Sequence, residues 1–216
     1  MKTCEKLAFF DATGQRLGIK SRAEVHCDGD WHWLVFVWAA RLDEAGRIQV
    51  LLQVRSRPGD PYLGSVDAPA GGHVLAAETP LQGAQREFAE EVGIALTEEE
   101  LVWLGEGKLE NPAGACQRVI EHFYLCKRPI LLEETHFSDE AGCFVEVELD
   151  GFLELAEGRR EEVDGLGRLD GSTATNPVHL THQQLASYSP AILGEFQRCL
   201  RTIQAYLRRT PGRSTI

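Results

Sequence analysis

The sequence predicts an α+β fold, with helices placed against a mixed sheet, and three observations predict it. Short apolar runs rich in β-branched and aromatic residues recur between turn residues. Two segments carry apolar residues at helical spacing behind good N-cap residues, one beginning at Thr79 and one at Ser189. Strands and helices are mixed along the chain, the order expected of α+β proteins. At 216 residues, 43% hydrophobic and 25% charged, the chain suits one globular domain with a real core, or one domain plus an appendage.

The elements follow in order. "KLAFFD" meets the turn signal "ATGQ", and "RLGIKSRAEVH" runs to "CDGD", which predicts a hairpin. "WHWLVFVWAARLD" and "RIQVLLQVRS", separated by "EAG", read as two central strands. Thr79 then caps a helix with Pro80 at its first position, Leu81, Ala84, Phe88 and Val92 on its buried stripe, and Gly93 as its stop. "ELVWLGEGKLE" and "QRVIEHFYLCKR" read as strands around a turn at "NPAGA", and "CFVEVELDGFLELAEGR" as a last strand entering a short helix. Residues 157–176 turn to glycine and charge and predict a long surface loop. A terminal helix capped by Ser189 follows, with Ile192, Phe196, Leu200, Ile203 and Leu207 at helical spacing. The expected organisation is a domain over 1–156, a loop over 157–176, and a helical extension over 177–216 packing on that same domain.

Composition excludes several classes. A net charge of -11 argues against nucleic acid as the main partner, because such binders cluster Lys and Arg against phosphates. The start lacks the apolar core of a signal peptide, and no stretch approaches the roughly 20 apolar residues of a membrane span, so a soluble, cytoplasmic protein with no membrane partner is expected. The six cysteines, Cys4, Cys27, Cys116, Cys126, Cys143 and Cys199, show no CxxC spacing and suit reduced thiols.

The chemistry concentrates in "GGHVLAAETPLQGAQREFAEEVGI". Glu87, Glu90 and Glu91 share one helix face, where like charges repel by a few tenths of a kcal/mol per pair. A divalent cation removes that cost, and an all-oxygen donor set without His or Cys selects Mg2+ or Mn2+ over zinc. Such an ion bridges carboxylates to substrate phosphates, which reconciles an acidic chain with an anionic substrate.

An acidic run alone is usually a solvated face. Here, however, Gly72, Glu78, Arg86-Glu87-Phe88, Glu90-Glu91 and Gly93-Ile94 stand at the spacing of the Nudix box. The chain therefore resembles the Nudix hydrolase family. The resemblance implies an α/β/α sandwich and cleavage of a small-molecule diphosphate, with Glu87, Glu90, Glu91 and the Gly72 carbonyl holding the metal. Arg86 would orient or neutralise these carboxylates, Glu78 would hold the loop to the helix, and a glutamate beside the metal-activated water would act as general base, either within the box or among Glu121, Glu146 and Glu148.

"FDATGQRLGIKSRAEVHCDGDWHWLVFVW", "LLQVRSRPGDPYLGSVDAPAGGHV" and "SYSPAILGEF" further resemble the Nudix subgroup related to isopentenyl-diphosphate isomerase. In those isomerases a catalytic cysteine precedes Gly-His, where this chain has Gly71-Gly72-His73, so a hydrolase of a nucleoside diphosphate derivative or related diphosphate is favoured. An isomerase and a non-catalytic nucleotide-sugar sensor are the alternatives. His26, His32 and His73 match the isomerase's metal histidines, or else form hydrogen bonds near the pocket or serve as structural histidines. Arg55 and Arg57 could clamp a phosphate or pair with Asp60 and Asp67. Trp31 or Trp33, on one strand face, could stack on a base, although core packing is the default for Trp31, Trp33 and Trp38. A homodimer is left open.

Overall fold

The computed structural model describes residues 5–110, 117–137, 141–169 and 172–209. The chain opens with β1 (Lys6–Phe10) and β2 (Arg16–Ser21), the expected hairpin, with a register shift between Phe9 and Phe10. The second strand stops earlier than its sequence suggested, because Arg22–Asp28 forms helix α1. Ser21 Oγ accepts from the Glu24 amide and Glu24 accepts from the Ser21 amide, while Gly29 closes the helix at φ 65°. That capping box outweighs the strand propensity of the stretch.

The long β3 (Trp31–Leu42) is the spine of the sheet and pairs antiparallel with β4 (Ile48–Arg55). Next come β5 (Val66–Asp67), β6 (Ala70–His73) and helix α2 (Pro80–Glu91). Strands β7 (Leu101–Glu110) and β8 (Arg118–Cys126) form an antiparallel pair, and β8 lies parallel to β3 from Trp31–Arg118 to Ala39–Cys126. The turn expected at "NPAGA" falls outside the described residues. Strand β9 (Ala141–Glu148) runs into helix α3 (Leu149–Ala156), as expected.

The glycine-rich stretch differs from its expected loop. Within it lies β10 (Glu162–Leu169), which pairs with β9 and with β11 (Thr175–Thr181) to extend the sheet. Its glycines are packing devices. A Cβ on Gly165 would stand 2.5 Å from Val147 Cγ1, and one on Gly167 would stand 2.5 Å from Val178 Cγ1. Glycine here admits a close neighbour rather than loosening the chain. Helix α4 (Pro190–Arg209) ends the described chain, and its Ile192 amide donates to Ser189 Oγ.

The strand path is β11-β10-β9-β4-β3-β1-β2, with β6 and β8 also bordering β3. One core cluster joins Trp38, Leu52 and Phe152 to Phe196, Leu200 and Ile203 of α4. A second joins Val35, Val37 and Leu51 to Ala84 and Phe88 of α2 and to Val92 just past its end. The alternation of β3 sends Phe36 and Trp38 toward the first cluster and Val35, Val37 and Ala39 toward the second. The site forms where glycines interrupt this division.

Candidate functional site

Strand β6 is short and nearly without side chains, which brings its backbone against α2. It pairs with β3 through Leu34–His73, Val35–Gly72 and Phe36–Gly71. A Cβ on Gly72 would lie 2.2 Å from Glu87 Oε1, and one on Gly71 would lie 2.6 Å from Phe36 Cδ1. The two glycines thus face opposite sides of the sheet, one toward the carboxylate helix and one toward an aromatic cluster. Helix α2 is held at its start by reciprocal hydrogen bonds between Thr79 and Gln82, and Gly93, at φ 79°, follows its end.

On this helix Glu87 and Glu91 are buried at 3% and 2% exposure, whereas the Glu90 side chain is half exposed. Glu91 Oε2 accepts from Gln53 Nε2 at 3.2 Å and from the Gly71 amide at 3.1 Å. Arg86 ties the assembly together. It donates to Glu78 at 2.7 and 2.9 Å, to Glu87 Oε1 at 2.8 Å, to Glu90 Oε2 at 3.5 Å and to the His73 carbonyl at 2.8 Å. Glu78 also accepts from the Leu75 amide at 3.0 Å. Burial works to raise the Glu78 pKa, yet the Arg86 and Leu75 hydrogen bonds hold it below its ordinary value. Burial opposes the charge on Arg86 as well, but Glu78 and Glu87 raise its pKa.

Oxygen donors of this kind suit a hard divalent cation, and Gly72 leaves the Glu87 carboxylate the space that a Cβ would fill. A second cluster lies beside it. The side chains of His26, His32 and His73 offer nitrogens within 4.8 Å of one another, and His26 Nε2 lies 2.9 Å from His73 Nε2. His32 Nδ1 lies 3.0 Å from the Asp30 carbonyl, and burial drops its pKa to about 4, so its imidazole is neutral near pH 7.

A cavity of about 530 Å³ opens from Gly71, Gly72, His73 and Glu87. Arg55 and Arg57 line it as well, and Arg55 also forms the alternative pairing, with Asp60 at 2.6 Å and Asp67 at 3.0 Å. Glu121 faces the cavity and is 6% exposed. Glu146 does not line it; Arg41 engages that carboxylate at 2.6 and 2.9 Å. Glu148, at the end of β9, does not line it either. Trp31 packs with Ala8, Phe10 and Ile120, beneath Lys108, because odd positions of β3 face away from the cavity. Trp33 stacks on Phe10 at 4.3 Å. Both residues thus take the core packing that was their default reading.

The aromatic wall is built instead by Phe36, Trp38, Phe123, Tyr62, Tyr188 and Phe196. Sequence reasoning assigned none of these to the site. The available signal was alternation: Phe123 stands two residues after Glu121 and shares its face.

Comparison with known proteins agrees with this geometry. A family model described as "NUDIX domain" matches residues 32–165. An uncharacterised Nudix hydrolase of Clostridium acetobutylicum is 30% identical over 75% of this chain and 77% of its own length. Nudix hydrolase 3 of Arabidopsis thaliana is 42% identical, over 39% of this chain and 11% of its own length, so the chain spans about a tenth of that relative. The crystal structure of DR0079 from Deinococcus radiodurans is similar at a TM-score of 0.52 and 16% identity, covering 71% of this chain and 90% of that one. At that identity the likeness shows the fold.

Proposed function

The chain belongs to the Nudix family, and on that premise we propose that it is a Mg2+- or Mn2+-dependent pyrophosphohydrolase of a nucleoside diphosphate derivative or related diphosphate. The observation that carries this reading is the packing of Gly72 against Glu87, with the carboxylate of Glu91 oriented beside it and a cavity opening on the same spot. Glu87, Glu90, Glu91 and the Gly72 carbonyl would hold the metal, which when bound supplies charge stabilisation and a more acidic water.

The chain's own residues do the rest. Arg86 fixes Glu87 and the β6 backbone in one network, and Gln53 with the Gly71 amide sets the Glu91 carboxylate. Arg57 on the cavity wall would engage a phosphate, whereas Arg55 there is already paired with Asp60 and Asp67. Glu146 and Glu148 lie off the cavity, and burial raises the Glu121 pKa to about 8, which leaves it mostly protonated near neutrality. The proton acceptor is therefore assigned to a carboxylate of the box.

The isomerase alternative needs a side chain where Gly71 stands, and the Phe36 ring already fills that space. The sensor alternative is disfavoured by the intact set of box carboxylates. The test is phosphate-coupled turnover of nucleotide sugars, dinucleoside polyphosphates, nucleoside di- and triphosphates, coenzyme A and prenyl diphosphates, with Mg2+ and with EDTA. Metal-dependent cleavage is expected, together with its loss in Glu90→Gln and Glu91→Gln while the fold survives. Persistent activity in both variants would sink the assignment. Silence across the panel from a protein that binds Mg2+ would favour the sensor.

A further inference from the structure

The aromatic end of the cavity contains a group that the reaction does not use. We propose that Glu121 is a specificity-determining residue, its carboxyl reading the edge of a planar heterocycle that presents a hydrogen-bond donor and an acceptor side by side, as a nucleobase does. This rests on the hydrolase reading above and names the moiety attached to the diphosphate.

Glu121 sits on β8 between Leu34 of β3 and Gly107 of β7 in the sheet, with its side chain on the cavity face. It is more than nine-tenths buried, and among the described residues no donor makes a hydrogen bond to it. The charged groups around it are Asp67 of β5 and Glu195 and Arg198 of α4. Arg198 is engaged by Glu195 and lies over the Phe123 ring. A buried carboxyl facing a cavity without a partner is costly unless the occupant supplies one.

The walls fit a flat occupant. Phe36 and Phe123 stack with centroids 5.7 Å apart and planes at 19°, and Tyr62 and Tyr188 lie 5.0 Å apart. Such faces favour the π-face of a heterocycle. A prenyl chain would cover the same rings but seal Glu121 away from any partner, and a bare sugar would leave the rings without a stacking surface. Because burial keeps the carboxyl protonated near neutrality, it offers one donor and one acceptor. Glutamine offers the same pair, which gives the proposal a discriminating variant.

The test is calorimetric titration of the full chain in Mg2+ with AMP, CMP, GMP, UMP, ribose 5-phosphate and dimethylallyl phosphate, a measurement that does not depend on turnover. At least one nucleotide should bind about tenfold or more tighter than ribose 5-phosphate and dimethylallyl phosphate. Glu121→Gln should hold that affinity within about threefold. Glu121→Leu should lose about tenfold for the nucleotide while leaving ribose 5-phosphate unchanged. Equal binding of nucleotide and ribose 5-phosphate, tighter binding of dimethylallyl phosphate, no heat from any nucleotide, or nucleotide affinity unaltered in Glu121→Leu would each overturn it. Nucleotide binding through Glu121 without turnover of any diphosphate would instead count against the hydrolase reading alone.

Discussion

Replacing Gly72 by alanine tests the site by adding one carbon. The new Cβ would stand 2.2 Å from Glu87 Oε1, 2.4 Å from its Cδ and 2.7 Å from Oε2. An ordinary carbon–oxygen contact is roughly 3.3 Å, so either the carboxylate or the β6 backbone must retreat by about 1 Å. Glu87 is 3% exposed and bound to Arg86 at 2.8 Å, so it cannot swing into solvent without breaking that ion pair. Metal–ligand distances tolerate about 0.2 Å, and a misplacement of about 1 Å near the chemistry can cost ~100-fold. Gly72→Ala should therefore lose on the order of 100-fold in kcat, weaken Mg2+ binding and cost about 1–3 kcal/mol of stability from overpacking. Steady-state turnover, Mg2+ calorimetry and urea unfolding read these three effects. Gly194→Ala on α4 is the control, because nothing lies within 4 Å of its Cβ position. Full kcat and Mg2+ affinity in Gly72→Ala would refute the assignment of this glycine and carboxylate to one site.

The remaining predictions concern the supporting groups. Arg86→Gln removes the ion pairs to Glu78 and Glu87 and should cost about 2–4 kcal/mol with loss of turnover; an unchanged urea midpoint would show that the network does not hold the loop. Glu121 has a folded pKa of about 8, raised above its ordinary 4.5 by burial first and by Glu195 and Asp67 next. Its stabilising contribution is full below pH 4.5 and is lost as the pH rises through 8, by at most about 4–5 kcal/mol. Glu121→Gln should accordingly gain stability relative to the parent between pH 5 and pH 9 in urea unfolding, and parallel pH profiles would contradict the burial argument. The three-histidine cluster fits a borderline cation such as Zn2+. Zn2+ calorimetry should detect a site that His32→Ala and His73→Ala each weaken at least tenfold, whereas equal affinity in both variants would mark the cluster as hydrogen-bonded only.

Much of the site was legible because its chemistry is local. Glu87, Glu90 and Glu91 share a face through helical periodicity, and Thr79, Pro80 and Gly93 mark the ends of their helix. The β3–β4 pair and the terminal helix were equally legible, since alternation and helical spacing are properties of contiguous residues. The β10 strand was not, because Gly165 and Gly167 read as loop until Val147 and Val178 lie against them. Likewise, α1 rests on a cap that competes with the preceding strand.

The carboxylate helix, the paired glycines before it and the chemistry those residues support follow from the chain alone, because all lie close together along it. Tertiary structure decided which distant groups join them. It placed Glu146 against Arg41 and Trp31 in a separate core, and it turned Glu121, Phe36 and Tyr188 toward a common cavity. The reason is geometric. A strand position has two faces, and only the partners across the sheet and the helices laid on it decide which face becomes core and which becomes cavity.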